Sequence, residues 1–186
     1  QIIKKNIDSW WPLIENKTIE AICMTASGCG VAIKEYHQLL SDDKAYAEKA
    51  KIVSTLYKDP AEVVSAELSN NKQGIQSLIK NKLNTAVAFH PPCTLQHGMK
   101  LNNLIEPILS DCGFEVRPFN DKHLCCGSAG TYSITQKKLS QQLLSNKLDN
   151  INQTEHDLIV TANIGCQLHL QSGTTKQVKH WLELFI

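Results

Sequence analysis

The sequence predicts an α/β fold: a parallel sheet flanked by helices, with one complete cysteine-rich repeat preceded by the C-terminal part of another. Two observations carry this. In the second half, short apolar runs alternate with helically spaced ones, the order of a parallel sheet with crossover helices. Each apolar run also leads into a loop of small residues bearing cysteine. The chain has 186 residues, 42% of them hydrophobic and 20% charged. That reads as soluble and globular, and at this length roughly 70% of the unfolded surface can be buried.

The elements follow in order. Ile3, Ile7, Trp10, Trp11 and Ile14 recur at helical spacing, so residues 2–15 are expected to be a helix with Pro12 as a possible kink. Residues 20–25 read as a strand ending in the turn Ser27-Gly28-Cys29-Gly30. Residues 31–40 and 44–57 are helical, separated by Ser41-Asp42-Asp43 as a cap. Asp59-Pro60 starts another helix, with Asp at the cap and Pro in the first turn. The polar run Ser69 to Gln73 is the expected linker, which divides the chain into residues 1–70 and 71–186.

Beyond it, residues 85–90 form a strand running into His90-Pro91-Pro92-Cys93, and residues 99–109 a helix ended by Gly113. Residues 114–119 form a second strand, followed by the loop containing Cys125-Cys126-Gly127. Residues 131–148 are a helix, and residues 157–162 a third strand reaching Asn163-Ile164-Gly165-Cys166. Residues 177–186 hold a short strand or a closing helix.

An internal repeat is visible. Displacing the N-terminal part by 137 positions sets Cys29 on Cys166, Gly28 on Gly165, Ile22 on Ile159, Glu20 on Asp157 and Ile14 on Ile151. The counterparts of Cys93, Cys125 and Cys126 would then precede residue 1, so the chain is expected to be a fragment that starts inside a first repeat.

Composition excludes several classes. The 19 basic and 18 acidic residues nearly cancel, and Arg117 is the only arginine, so no basic face serves nucleic acid. No apolar run reaches the ~18 residues of a membrane span, and the opening residues do not read as a signal peptide. An odd count of seven cysteines argues against a secreted disulfide framework.

The cysteines carry the chemistry. Cys93, the pair Cys125-Cys126 and Cys166 each follow the carboxyl end of an expected strand, and in a parallel sheet those ends border one crevice. Four gathered thiolates repel one another unless a cation joins them, which a soft metal or an iron–sulfur cluster supplies. Helices starting near Thr94 and Gly127 would point N–H groups at such a centre, and Gly127 to Gly130 leave space for the backbone to approach it. Cys29 is a candidate whose co-ligands lie outside the chain, and Cys23 and Cys112 read as core residues. His169, three residues after Cys166, is a candidate ligand, and His97 a weaker one. His90 reads as fixing the strand exit, while a Cys125–Cys126 disulfide cycle ranks last because adjacent bridging strains the peptide.

Three motifs carry a family resemblance: His90-Pro-Pro-Cys-Thr-Leu-Gln-His-Gly98, Cys125-Cys-Gly-Ser-Ala-Gly-Thr-Tyr132 and Thr161-Ala-Asn-Ile-Gly-Cys-Gln-Leu-His169. They resemble the cysteine-rich repeats of glycolate oxidase iron–sulfur subunits. Related repeats occur in heterodisulfide reductase, in a lactate-utilisation protein and in the small subunit of anaerobic glycerol-3-phosphate dehydrogenase. Residues 6–14 and 25–36 resemble the same glycolate oxidase component. The resemblance implies an electron-transfer subunit with a 4Fe-4S type iron–sulfur cluster or zinc at Cys93, Cys125, Cys126 and Cys166, and Cys29 as the last cysteine of the first repeat. It also implies flavin-bearing partner subunits that oxidise glycolate, quinone as eventual acceptor, and a cytoplasmic place at the inner face of the membrane. A zinc-stabilised assembly module of the same complex is the alternative. The general repeat ends Cys-x-x-Cys, whereas Cys166 is followed by His169 and Cys29 by Ala32, which takes away the fifth sulfur that relatives use for a non-cubane cluster. Four sulfurs suffice for zinc or a conventional cluster.

Overall fold

A computed structural model describes residues 1–77, 79 and 85–185. They fall into two compact units, Gln1–Pro60 and Ala61–Ile186.

In the first unit, α1 (Ile2–Glu15) takes the expected bounds and keeps Pro12 inside, with Ile7 fully buried. α2 (Ser27–Lys34) and α3 (Tyr36–Leu39) divide the expected helix over 31–40, and α4 (Ala47–Leu56) follows. The expected strand over 20–25 contributes one parallel bridge, Ile22 to Tyr57. Only Ile22 of that run is buried, so Cys23 is exposed and is no core residue.

The second unit is built on a four-stranded sheet of order β2-β1-β3-β4, with every pair parallel. Its strands are β1 (Ala86–His90), β2 (Glu115–Val116), β3 (Leu158–Thr161) and β4 (Val178–His180). The expected α/β class with a helix-flanked parallel sheet is thus the one adopted. α5 (Pro60–Ser77) runs through the expected linker, broken by extended backbone at Asn71 (φ −147°, ψ 64°). The helix expected over 99–109 shrinks to α6 (Ile105–Asp111), because Lys100 and Asn103 take positive φ and a π-helical turn, Thr94–Gly98, precedes them. α7 (Tyr132–Thr135) and α8 (Lys137–Ile151) split the next expected helix at Gln136. α9 (Ile164–Gln171) joins β3 to β4, and a 3-10 turn, Trp181–Phe185, follows β4, so strand and closing helix both occur. Ile186 lies outside the described residues.

Alternation along the buried strands decides what faces each side. Val87, Phe89 and Val160 pack with Ile105, Ile108 and Leu109 of α6, with Trp181 and with Cys112, which is the core residue expected. Ala88 and Ile159 pack on the opposite face with Leu144, Leu148 and Ile151 of α8 and Leu170 of α9, together with Cys126 and Cys166. Period two therefore sends His90 and Thr161, neighbours in the β1–β3 register, to the cysteine-bearing face.

Candidate metal centre

From β1 the chain crosses to β2 on one side, whereas β3 lies on the other. The crevice at such a switch point, outside the carboxyl ends of the strands, is where open α/β sheets bind ligands. Cys93 lies three residues beyond β1, Cys166 sits in the first turn of α9 just past β3, and the Cys125-Cys126 loop comes from β2.

The four sulfurs form a connected chain. Cys93 interacts with Cys125, Cys125 with Cys126, and Cys126 with Cys166. All four are free, Cys93 and Cys125 half-buried and Cys126 and Cys166 buried. Protons are shared unevenly along the chain. The Cys126 and Cys93 thiols and the Gly127 N–H hold the Cys125 thiol below its ordinary value, the N–H lying 3.3 Å from its sulfur. Contact with Cys126, then His90 and Asn163, lowers Cys166, whose sulfur accepts from Asn163 Nδ2 at 3.7 Å. The first turn of α9 also places Cys166 at the positive end of a helix. The partners shift in the other direction: Cys125 raises both Cys93 and Cys126, and burial adds to each. Elsewhere, burial above all lifts Cys112 to about 11, as for an inert core thiol.

Neighbouring residues fix the loop. Gly127 has φ +97°, and a Cβ there would lie 2.4 Å from the carbonyl oxygen of Ser140, so only glycine lets the loop lie this close to α8. Ser140 Oγ donates to Gly127 O at 2.8 Å, and His169 Nε2 lies 3.1 Å from that hydroxyl. His169 thus faces the brace beneath the loop. No helix starts at Gly127, and a π-helical turn stands at Thr94; the backbone N–H groups aimed at sulfur are those of Thr94 toward Cys93, Gly127 toward Cys125 and Ser128 toward Cys126. Lys147, 2% exposed, donates through Nζ to Asp121 O at 2.6 Å and ties down the segment before the cysteine pair. Burial pushes its ammonium down, and the charge of the nearby Cys126 sulfur opposes that. His97 is exposed, and Cys29 lies exposed in the first unit.

His90 is the residue whose place the strand-exit reading missed. It is 1% exposed, and its ring nitrogen and the sulfurs of Cys126 and Cys166 all lie within 4.8 Å of one another. The alternation of Val87 and Phe89 against Ala88 and His90 was the available signal.

Four sulfurs from three loops at a switch point are what a cysteine-rich domain family would be expected to hold. Residues 87–171 match the CCG cysteine-rich domain. The chain is 47% identical over 181 residues to the glycolate oxidase iron-sulfur subunit of Escherichia coli (strain K12), covering 97% of this chain and 42% of that protein. It is 30% identical over 180 residues to the probable glycolate oxidase iron-sulfur subunit of Bacillus subtilis (strain 168), covering 95% and 38%. Lactate utilization protein A of Bacillus licheniformis is 24% identical over 155 residues, covering 83% and 63%. The resemblance read from the three motifs is upheld, and the chain spans less than half the length of the first two relatives. The CCG match runs from β1 to the end of α9 and encloses all four clustered cysteines. Among the described residues, no helix is long and apolar enough to cross a membrane.

Proposed function

We propose that the CCG domain holds an iron–sulfur cluster on Cys93, Cys125, Cys126 and Cys166, and that the chain is the electron-transfer part of a complex oxidising glycolate or a similar 2-hydroxy acid. The observation that carries this is the connected run of four free sulfurs at the switch point. The donor set suits such a group, because soft thiolates are what iron–sulfur centres require. Buried polar groups at the site add to the fit: the His90 ring meets the Cys166 sulfur, and Thr161 Oγ1 finds no hydrogen-bond partner. When bound, the cluster supplies a centre that takes up and gives back single electrons. The protein's own part is to gather sulfurs from three loops, keep water from Cys126 and Cys166, and leave Cys93 and Cys125 at the open edge. His169 and Ser140 brace the Gly127 loop from beneath.

The same reading makes the first unit the end of an earlier repeat. Displaced by 137, the bounds of α2, Ser27–Lys34, become those of α9, Ile164–Gln171. Ile22, displaced to Ile159, makes a parallel bridge in both places, to Tyr57 and to Val178. Cys29 is then the counterpart of Cys166 in that repeat. A flavin-bearing partner would deliver electrons and quinone would accept them, with the complex at the inner face of the membrane. The names of the relatives support an iron–sulfur subunit of an oxidase, and seven cysteines with no disulfide among them suit a reducing compartment.

Anaerobic reconstitution with ferrous iron and sulfide tests the reading. Retention of iron and sulfide in equal amounts, with broad visible absorption bleached by dithionite, is the expected result. Retention of zinc alone would replace it with the assembly-module reading, and retention of neither metal would overturn both.

A further inference from the structure

His90 occupies an unusual position for a buried histidine. It ends β1, a strand paired on both sides, and Pro91 and Pro92 fix the backbone beyond it. The ring is therefore delivered by the sheet and not by a mobile loop. It is 1% exposed, and its ring interacts with the Cys166 sulfur while finding no nitrogen or oxygen partner. A buried imidazole must pair its polar atoms to offset the hydration it gives up, and here a sulfur is what it meets. The groups it faces are sulfurs: one ring nitrogen, Cys126 Sγ and Cys166 Sγ stand within 4.8 Å of one another. Three donors to one metal ion at about 2.0–2.3 Å each lie less than twice that distance apart, so small side-chain adjustments would bring this trio onto a single ion, and donors to neighbouring irons of one cluster stand further apart still.

We infer that His90 is a direct nitrogen ligand of the metal centre, so that the centre carries mixed sulfur and imidazole ligation. This rests on the reading above that Cys126 and Cys166 hold metal. The other histidines near the cysteines are placed differently, since His169 Nε2 faces Ser140 and His97 is exposed. Cys166 is followed by His169 where a further cysteine would extend an all-sulfur set, and the inward-facing imidazole is the donor that remains. A neutral imidazole as the further ligand, where a fifth anionic thiolate would otherwise stand, leaves less negative charge on the centre. That raises its reduction potential, as His-for-Cys ligation does in other iron–sulfur sites.

The experiment is pulsed EPR on the 186-residue chain, reconstituted anaerobically with iron and sulfide, reduced, and grown with either natural-abundance or 15N-labelled histidine. A strongly coupled nitrogen whose coupling changes with the isotope is expected in the wild type, and needs no variant that might fail to fold. His90→Cys should keep the cluster, lose that coupling and titrate at a lower potential, whereas His90→Ala should retain less iron. A loaded wild type without nitrogen coupling, or a coupling that survives in His90→Cys, overturns the inference and leaves the proposed function standing. A chain that retains only zinc overturns the iron–sulfur reading alone. Cobalt(II) in place of zinc then reports the ligand, with an absorption change on His90→Cys supporting the inference and an unchanged spectrum overturning it. A chain that retains no metal overturns both.

Discussion

Replacing Gly127 by alanine should destabilise the second unit far more than the same change at Gly130. Both glycines have positive φ, +97° and +60°, so a side chain at either brings a backbone penalty of about 1–2 kcal/mol. Their surroundings differ. A Cβ at Gly127 would stand 2.4 Å from the backbone oxygen of Ser140 and 3.1 Å from both His169 Nε2 and Leu143 Cβ. At Gly130 it would meet nothing within 4 Å. The Ser140 oxygen belongs to α8 and yields only if the helix or loop shifts, which at overpacked sites costs about 1–3 kcal/mol. Gly127→Ala should therefore lose about 2–5 kcal/mol, and Gly130→Ala only the backbone share. With a urea slope of about 2 kcal/mol/M, the Gly127→Ala midpoint falls by about 1–2.5 M. Metal-free protein under reductant, unfolded in urea and followed by circular dichroism, reads both numbers without involving the cluster. Equal midpoints for the two variants would refute the close packing of this loop on α8.

Other perturbations probe the rest of the chain. Cys125→Ser should abolish metal retention in the reconstitution assay while costing about 1 kcal/mol or less of metal-free stability, since a serine hydroxyl can still accept from Gly127 N–H and from the Cys93 and Cys126 thiols that the half-buried sulfur meets; normal loading would remove Cys125 from the ligand set. Trp181→Ala should cost about 3–5 kcal/mol, because Trp181 is fully enclosed and meets Phe185 edge-on at 5.7 Å between ring centres; a loss below about 1 kcal/mol in the same urea titration would contradict that packing. His156 is buried, which holds its imidazole below the ordinary value, so the folded chain refuses a proton that the unfolded chain accepts below about pH 6.5. Its contribution is present above that pH and lost as pH falls, and His156→Leu should flatten the decline in stability between about pH 6.5 and 5; an unchanged slope would show that His156 does not drive it.

Much of this could be read from residue order, and the failures have physical causes. Apolar spacing located α1 and the strands because both are buried on faces that periodicity reports. It failed between Met99 and Leu104, where Leu101 and Leu104 continue a helical spacing but the backbone turns at Lys100 and Asn103. The polarity of Ser69 to Gln73 suggested a linker, yet α5 carries its polar face through that stretch and breaks only at Asn71. Cys23 looked like a strand-core residue because its neighbours are apolar, but one bridge is too little sheet to cover it. The convergence of the cysteine loops followed from strand polarity, which needs only that β1, β2 and β3 run parallel. The inward turn of His90 needed the pleat as well, and the two prolines after it drew attention to the chain path instead of the ring.

The pairing of β1 with β3 has a consequence for assembly of the site. Ala86 N–H donates to Asp157 Oδ2 across 71 positions, and the two strands lie side by side although the whole of β2 and its crossovers intervene. Contacts so distant along the chain form slowly, because a long loop must close before they offset its entropy. During synthesis Cys93, Cys125 and Cys126 leave the ribosome well before Cys166, which has no place until β3 docks. On the proposed ligation, the four-sulfur site is complete only once β3 has docked, so loading would belong to the late steps of folding.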